Sequence, residues 1–425
     1  MYKKIIILLC IGVFWVDGWA QDRPAELSGL ESEMSNLTNR LQGLVDIHGF
    51  LSQGYFSSSD NNYFGSSEDG SFDYTEYGLA FHSRLSDQLT LGIQFFSREM
   101  GGYTTDGVQI DWAFADYGYR EWLGVRVGRV NVPLLGMYND TRDIDAARVP
   151  VILPQSMYQE SRRDINFGIN GIEPYGSIDW GDWGGLDYEM WLGGTKSDVS
   201  TSASKSLSED GSVVYEKGET DYLAGVALSW GTPLQGLRFT GTCAEFNDLI
   251  FVGQTSNRFA LGSGYDVEGE FETLGFYVGG MEYEQGPFLF ATEYHIMRGD
   301  LHTTFHNTPL GTFSRDFLVE QEGYYFMATY QLTERVSFGS YYSVFYRDKE
   351  DRDGTKQVAQ GRISKPFQQW QKDLAVSLRF DLTEHWIAKA ELHAIDGAGQ
   401  VASVDNPGGM EEDWFLYLFK LTYSF

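Results

Sequence analysis

The chain ends in Phe415-Leu416-Tyr417-Leu418-Phe419-Lys420-Leu421-Thr422-Tyr423-Ser424-Phe425, where two kinds of side chain alternate. One face of this stretch is apolar and almost wholly aromatic: Phe415, Tyr417, Phe419, Leu421, Tyr423 and Phe425. The other face is mixed: Leu416, Leu418, Lys420, Thr422 and Ser424. A period of two is that of a β-strand, whose successive side chains point to opposite sides. The stretch therefore predicts a terminal strand with one strongly apolar face.

Short turns recur upstream, each between two alternating runs. Residues 85–89, 332–336 and 382–386 share a leucine, a hydroxyl residue and an acidic residue, and the hydroxyl can bond the backbone ahead of it and favour a turn. Four further connections have similar placement, at 121–122, 181–185, 231–236 and 284–287. Seven turns, with both chain ends on the same side, predict about sixteen strands, an even number of the kind found in transmembrane β-barrels.

Long polar segments lie between the short turns. They span 57–71, 132–164, 196–220, 247–270, 299–321, 348–369 and 397–412, and we expect them to be loops. Short turns at one end and long loops at the other are typical of an antiparallel membrane barrel. Tryptophans at the strand ends predict aromatic girdles: Trp122, Trp180, Trp183, Trp230 and Trp386 at the short turns, with Trp370 and Trp414 at the long loops.

The amino-acid composition excludes some classes of protein but is compatible with a transmembrane β-barrel. The 425 residues are 42% hydrophobic, and the mean hydropathy is −0.30. A polytopic helical membrane protein needs repeated apolar runs of about 20 residues, whereas alternating strands average to a polar value. A soluble sandwich of so many half-polar strands would have too polar a core, but a barrel closed in lipid lines its polar face with water. The net charge of −29 disfavours binding to nucleic acid.

The N-terminal 20 residues have the pattern of a secretory signal peptide. Lys3 and Lys4 precede an apolar run over 5–16, and small residues, Gly18 and Ala20, stand at −3 and −1 of a cleavage site before Gln21. The chain that remains has one cysteine, Cys243, which we interpret as a small apolar strand residue.

Residues 21–44 have a helical period. The seam Leu27, Leu30, Met34, Leu37, Leu41 and Leu44 has spacings of 3, 4, 3, 4 and 3. Such an a/d stripe predicts self-association as a short periplasmic parallel coiled coil. A single amphipathic helix packed on its own domain is the other interpretation, and leucine-rich seams do not fix the number of helices. The barrel domain would then occupy 45–425.

The long segment 132–164 differs from the others in carrying apolar runs at 132–137 and 149–154. This pattern predicts a loop that folds into the channel and packs against its wall. Its charged candidates for a pore constriction are Arg142, Arg148, Arg162, Arg163, Asp140, Asp143 and Asp145. The arginines could bind anionic solutes in bidentate fashion, or arginine–aspartate pairs could simply hold the loop in place.

Alternation also assigns charged side chains to the inward face of the wall. The candidates for lining the pore are Arg98, Arg126, Arg347, Arg379, Lys389 and Glu391. Both signs of charge occur among them, so they form no ring of one sign. Opposite charges on neighbouring strands would also stabilise the wall without meeting a solute.

Together these motifs resemble those of Gram-negative trimeric porins. The resemblance is carried by residues 47–50 (IHGF), 127–130 (VGRV), 138–143 (YNDTRD) and the terminal 423–425 (YSF). The preceding seam is similar to that of DcaP-like and phosphate-selective porins, which have N-terminal periplasmic extensions. The resemblance implies a homotrimer in outer-membrane lipid and lipopolysaccharide, a terminal strand bound by the barrel-assembly machinery, and passive uptake of small solutes, often anions. Unlike the phosphate-selective type, this chain has no dense lysine and arginine ladder.

Motifs for other chemistry do not occur in the sequence. It contains no Walker A, GxSxG or HExxH pattern, and one cysteine after residue 20 excludes CxxC. We therefore expect no enzyme, no cofactor and no metal. The sequence predicts an outer-membrane porin for passive diffusion of small polar or charged solutes. A channel selective for small anions such as dicarboxylates or phosphate is the alternative, with a barrel enzyme or a structural tether more distant.

Overall fold

A computed structural model describes residues 45–104, 107–163 and 168–425. The predicted signal peptide and the coiled-coil seam, Leu27 to Leu44, lie outside the described residues. In the part of the chain that the structure describes, no helix is long and apolar enough to cross a membrane.

The described residues form seventeen strands. They are β1 Asp46–Ser58, β2 Tyr74–Arg84, β3 Leu89–Met100, β4 Tyr103–Thr104, β5 Gln109–Arg120, β6 Leu123–Val130, β7 Ile169–Asp179, β8 Gly185–Asp198, β9 Val213–Gly231, β10 Leu237–Thr255, β11 Asp266–Gln285, β12 Phe288–Thr308, β13 Gly311–Thr333, β14 Val336–Tyr346, β15 Trp370–Asp381, β16 Trp386–Asp396 and β17 Asp413–Ser424. Two short α-helices, α1 Thr201–Leu207 and α2 Thr355–Ala359, lie in the longer connections. Single 3-10 turns occur at Asp145–Ala147, Glu160–Arg162, Gly181–Trp183, Lys349–Asp351, Pro366–Gln369 and Ser403–Asp405.

The strands form one closed antiparallel barrel. Each pairs with its neighbour in the chain, and β17 pairs with β1, from Phe50 opposite Ser424 to Ser58 opposite Leu416. The two-residue β4 only extends the edge of β3, which pairs directly with β5. Sixteen strands therefore make up the wall, as the sequence predicts.

The seven short turns lie where the sequence places them, between β2 and β3, β5 and β6, and so on to β15 and β16. Both ends of the barrel domain lie at this side of the wall. Gly49 and Phe425 exchange two backbone hydrogen bonds of 3.0 Å, and the Ser424 amide donates to the His385 carbonyl of the last turn. Closing the ring satisfies the edges that an open sheet would expose.

The terminal strand shows the two faces that its alternation predicts. Phe415, Tyr417, Phe419 and Leu421 are exposed on the outside by 41–53%, whereas Leu416, Leu418, Lys420 and Thr422 are at most 3% exposed. Strand β15 repeats the pattern, with Leu374, Val376, Leu378 and Phe380 outward. An apolar outer surface around a lumen with polar side chains is the arrangement that a bilayer stabilises.

Two expectations differ from the structure. Segments 247–270 and 299–321 are largely strand and not loop, because β10 to β13 continue to lengths of 19 to 23 residues. Segment 196–220 is strand at both of its ends, with α1 between them. Trp414 does not lie in an outer girdle: it faces inward, is 1% exposed and donates to the Gly397 carbonyl. Its place is set by strict alternation with Phe415, which takes the outward position.

Candidate functional site

The connection between β6 and β7, which we call loop 3, packs against the inner wall. Ten consecutive residues, 151–160, are buried. The loop forms hydrogen bonds or ion pairs with side chains of β1, β12, β14, β16 and β17, strands that are distant from β6 and β7 around the ring. The apolar runs in this segment thus have a wall to cover, which explains their presence in a connection.

One anchor of loop 3 is a carboxylate on β16. Glu391 accepts the backbone amides of Val151 at 2.7 Å and Ile152 at 3.2 Å. The His393 ring lies between Glu391 and Asp373, with 3.0 Å contacts to each. Two adjacent amides bound to one carboxylate fix the backbone of the loop and not merely a side chain, so this anchor holds loop 3 against β16.

A second anchor centres on Asp145, whose side chain is fully buried. Its carboxylate lies 3.2 Å from Lys389 Nζ and 2.8 Å from Lys420 Nζ. The hydroxyl of Thr422 donates to it at 2.6 Å. Burial by itself would raise the pKa of Asp145, but the charges of Lys389 and Lys420 prevail and hold that pKa well below its usual range.

A third cluster gathers arginines. Arg98 on β3 pairs with Glu160, and Arg142 lies 3.7 Å from Glu160 and donates to the Tyr158 carbonyl at 3.2 Å. Arg163 donates through Nε to Asp143 at 2.9 Å. Burial opposes the charge on Asp143, and Arg163 outweighs it and lowers the pKa of that carboxyl to about 2. Arg142 is only 4% exposed, so these guanidinium groups face protein atoms.

Glu293 on β12 is the anchor for the start of loop 3. It accepts the Met137 amide at 2.8 Å, the Tyr325 hydroxyl at 2.8 Å and the Tyr158 hydroxyl. Next to it, Tyr138 donates to Glu282 on β11 at 2.5 Å. Loop 3 is therefore held at both of its arms, against β11–β12 and against β16–β17.

The wall on the other side of loop 3 carries charges with more access to solvent. Arg126 on β6 donates to Glu173 at 3.1 Å and to Asp116 at 3.4 Å, and it stacks over the Tyr175 ring at 4.3 Å. Its side chain remains 27% exposed.

Asp140 of loop 3 is exposed and lies near enough to Arg126 and Arg238 for their charges to act on it. Although the residue is exposed, the protein atoms around its carboxyl remove part of the water and raise the pKa of Asp140, and the nearby Arg126 and Arg238 act in the opposite direction. Arg238 itself donates to Glu282 at 2.8 Å. Both signs of charge therefore meet around Asp140.

The remaining predicted residues occupy different levels of the barrel. Arg148 bonds the Val151 carbonyl at 3.0 Å within loop 3, and Arg379 donates to the Ala146 and Arg148 carbonyls at 2.7 and 3.1 Å. Arg347 lies just beyond β14 and pairs with Glu209. Arg162 donates to three neutral groups, Ser206 Oγ at 2.9 Å, Gln321 Oε1 at 2.8 Å and Met297 Sδ at 3.7 Å.

The sequence analysis did not identify several of the side chains that pair with the predicted arginines. Glu173 lies on the inward face of β7 with Ile169, Gly171 and Tyr175, so continuing the alternation beyond loop 3 would have found it. Glu160, which joins Arg98 to Arg142, lies in an irregular segment, where no period points to it. Among the described residues, no three His, Cys, Asp or Glu side chains are grouped so as to hold a metal.

Comparisons with known proteins rest on structure. No protein-family model and no curated protein matches the sequence. Solved structures do match over most of the chain. OmpT of Vibrio cholerae in its trimer form has a TM-score of 0.55 at 10% identity, covering 90% of this chain and 99% of that one.

Two further matches agree with the first. OmpF of Salmonella typhi has a TM-score of 0.53 at 12% identity, covering 90% of this chain and 97% of that one. The outer membrane channel DcaP of Acinetobacter baumannii has a TM-score of 0.50 at 11% identity, with the same coverage. Identities this low show the fold alone: the chain, a closed barrel of sixteen strands, has the fold of these outer-membrane proteins.

Proposed function

We propose that the chain is a bacterial outer-membrane porin that forms a water-filled channel for passive diffusion of small polar or charged solutes. One observation carries this proposal: a closed wall of sixteen strands has an apolar outer belt, and many charged and hydroxyl side chains face the lumen. Barrels of this size enclose an aqueous lumen. The likeness in fold to a protein described as an outer membrane channel supports it.

The test is conductance. Folded protein in a planar bilayer should give discrete steps of reproducible size, and the same preparation after thermal unfolding is the matched control. Swelling of liposomes in small sugars checks the route for neutral solutes. Silent bilayers together with liposomes that do not swell would refute the channel.

We assign different roles to the predicted charged residues. Arg142, Arg163 and Asp145 act as anchors of loop 3, because they are buried and bound to protein atoms. The constriction is formed by Asp140 of loop 3 with Arg126 of the wall. This mixed pair favours a channel of mild selectivity over a dedicated anion channel, the second candidate.

Reversal potentials in a salt gradient test that assignment. R126Q should shift the channel toward cations, because it removes a positive charge beside the passage, and D140N should shift it toward anions. K196Q removes a charge from a side chain that is 78% exposed, and it should leave the reversal potential unchanged. Equal potentials for all three variants would contradict the placement of the constriction.

The oligomer and the N-terminal segment remain part of the proposal. We infer a homotrimer of this porin in outer-membrane lipid and lipopolysaccharide, assembled through its terminal strand, with a signal peptide at 1–20 and a periplasmic coiled coil at 21–44. The trimer form of a structure with similar fold supports the trimer alone. Light scattering of the mature chain with and without 21–44 tests it: persistent trimers after deletion would make the helix a tether. We propose no enzymatic activity.

A further inference from the structure

A large cavity lies inside the barrel at the ends of β9 to β13 that are opposite the short turns. Its volume is about 1440 Å³, and its apolar lining includes Phe246, Phe251, Phe271, Leu274, Leu301 and Phe305. Loop 3 forms part of the floor with Leu135 and Met157. Ligand sites in proteins typically have volumes of roughly 300–1,000 Å³, so this space would hold an organic molecule with some water.

The lining arises because the polarity of the strands inverts along their length. Near the short turn, β12 directs Phe290 and Tyr294 outward and Glu293 inward. Farther along the same strand, Met297 and Phe305 are inward and buried, while Asp300 is outward and exposed.

This inversion has a clear energetic meaning. Polar solutes gain nothing from a wall of phenylalanine, whereas an apolar group gains about 25 cal/mol for each Å² that it removes from water. The upper lumen is therefore suited to the apolar part of a solute.

The charge of the cavity lining is opposite in sign to the net charge of the protein. Its lining has five arginines, Arg162, Arg258, Arg315, Arg347 and Arg362, against three carboxylates, Glu209, Asp210 and Asp316. The excess is positive in a chain whose net charge is −29. Such a local reversal attracts an anion and orients it.

The arginines of the cavity differ in the protein groups that their guanidinium groups contact. Arg347 is paired with Glu209. Arg162 instead donates to a serine hydroxyl and a glutamine carbonyl, both of them neutral. Arg315 stacks over the Phe305 and Phe313 rings at 5.9 and 5.7 Å.

We propose that this cavity binds organic anions that consist of one acidic group on an apolar ring or chain, with Arg162 as the partner of the acidic group. The phenylalanine wall takes the apolar body. A small hydrophilic anion would leave that wall in water. A neutral apolar molecule would leave the guanidinium with its neutral hydrogen-bond partners and with the Glu209 carboxylate, which Arg347 already pairs with. This inference rests on the proposed function, because the cavity would lie on the path that solutes take through the channel.

Calorimetry on the full chain in lipid nanodiscs tests the site without relying on conductance. The probe is naphthalene-2-sulfonate, with methanesulfonate as the acidic group alone and 2-naphthalenemethanol as the neutral body. Empty nanodiscs give the background from the lipid. We expect the two partial probes to bind at least about tenfold more weakly than the complete one.

Substitutions identify the cavity as the site. R162Q should weaken binding of naphthalene-2-sulfonate by about tenfold or more, since a hydrogen bond between charged groups is lost. Its matched control is R335Q, in the exposed turn between β13 and β14, where affinity should not change. L301S should weaken the complete probe and leave methanesulfonate unaffected.

The outcomes separate this inference from the channel itself. Equal binding of naphthalene-2-sulfonate and methanesulfonate, or equal affinity in R162Q and R335Q, would overturn the site. Conducting protein that fails to bind the probe keeps the channel and removes the site. Protein that binds the probe but gives silent bilayers and no swelling keeps the site and removes the channel.

Discussion

Replacing Asp145 by asparagine removes the charge at the centre of one loop-3 anchor. The carboxylate is fully buried, 3.2 Å from Lys389 Nζ and 2.8 Å from Lys420 Nζ. Lys420 keeps a second carboxylate, Glu76. Among the described residues, Asp145 is the carboxylate within 4.0 Å of Lys389, whose other partners are the carbonyls of Asp145 and Pro150. The substitution therefore leaves one buried ammonium without an anionic partner.

The size of the effect follows from this geometry. Breaking a buried ion pair by removing one partner costs about 3–5 kcal/mol. Asparagine can still accept one hydrogen bond, so we expect about 3 kcal/mol, the low end. At 1.4 kcal/mol for each factor of ten, the equilibrium between docked and detached loop 3 shifts by roughly 100-fold.

Single-channel recording detects that shift. D145N should show frequent changes between conductance levels where the unchanged protein holds one level, because the loop leaves its place on the wall. The control is E219Q, which breaks an ion pair between side chains that are 78% and 52% exposed. Exposed pairs contribute about 1 kcal/mol or less, so E219Q should behave as the unchanged protein. Identical traces for D145N and E219Q would refute the anchor.

Two further predictions concern pH and backbone. Arg163 lowers the pKa of Asp143 to about 2 from 3.8, against the effect of burial. A carboxyl whose pKa is lowered in the folded protein stabilises the fold at pH values above its usual pKa. It loses this contribution as the pH falls through the lowered value, so the free energy of unfolding should decrease by about 2 kcal/mol between pH 4 and about 2. Urea unfolding at several pH values measures it, and D143N should lack this step. Gly184→Ala should destabilise the barrel more than Gly181→Ala in the same assay. Both glycines have positive φ, so both substitutions strain the backbone. A Cβ at Gly184 would in addition lie 2.0 Å from the Gly231 carbonyl oxygen, whereas a Cβ at Gly181 would meet no atom within 4 Å. Equal losses for the two alanine variants would show that the close approach is not rigid.

The wall could be predicted because its signal is local. In β17, a residue's face depends on its parity alone, so Phe419 and Lys420 could be assigned to opposite faces without knowledge of any partner. The short turns are equally local, since each is set by residues within one stretch of about five. Closure then follows from the need to pair every edge in lipid.

The upper halves of β9 to β13 were missed for a physical reason. Their alternation continues, but its polarity is reversed, with Asp300 outward and Leu301 and Phe305 toward the cavity. Sequence reasoning that expects apolar side chains outward interprets such a run as loop. A test for period alone, without regard to which face is apolar, would have predicted strand there.

The roles of the arginines depend on partners that the sequence does not pair. Arg142 and Glu160 are 18 positions apart in an irregular segment, and Lys389 meets Asp145 across 244 positions. Each of these contacts uses a charge that would otherwise act on a solute. We therefore expect selectivity to depend on charges that keep access to solvent, Arg126 with Asp140 at the wall, and on Arg162 in the cavity above. A substitution at an anchor should consequently change gating and stability, and a substitution at these three positions should change which solutes pass.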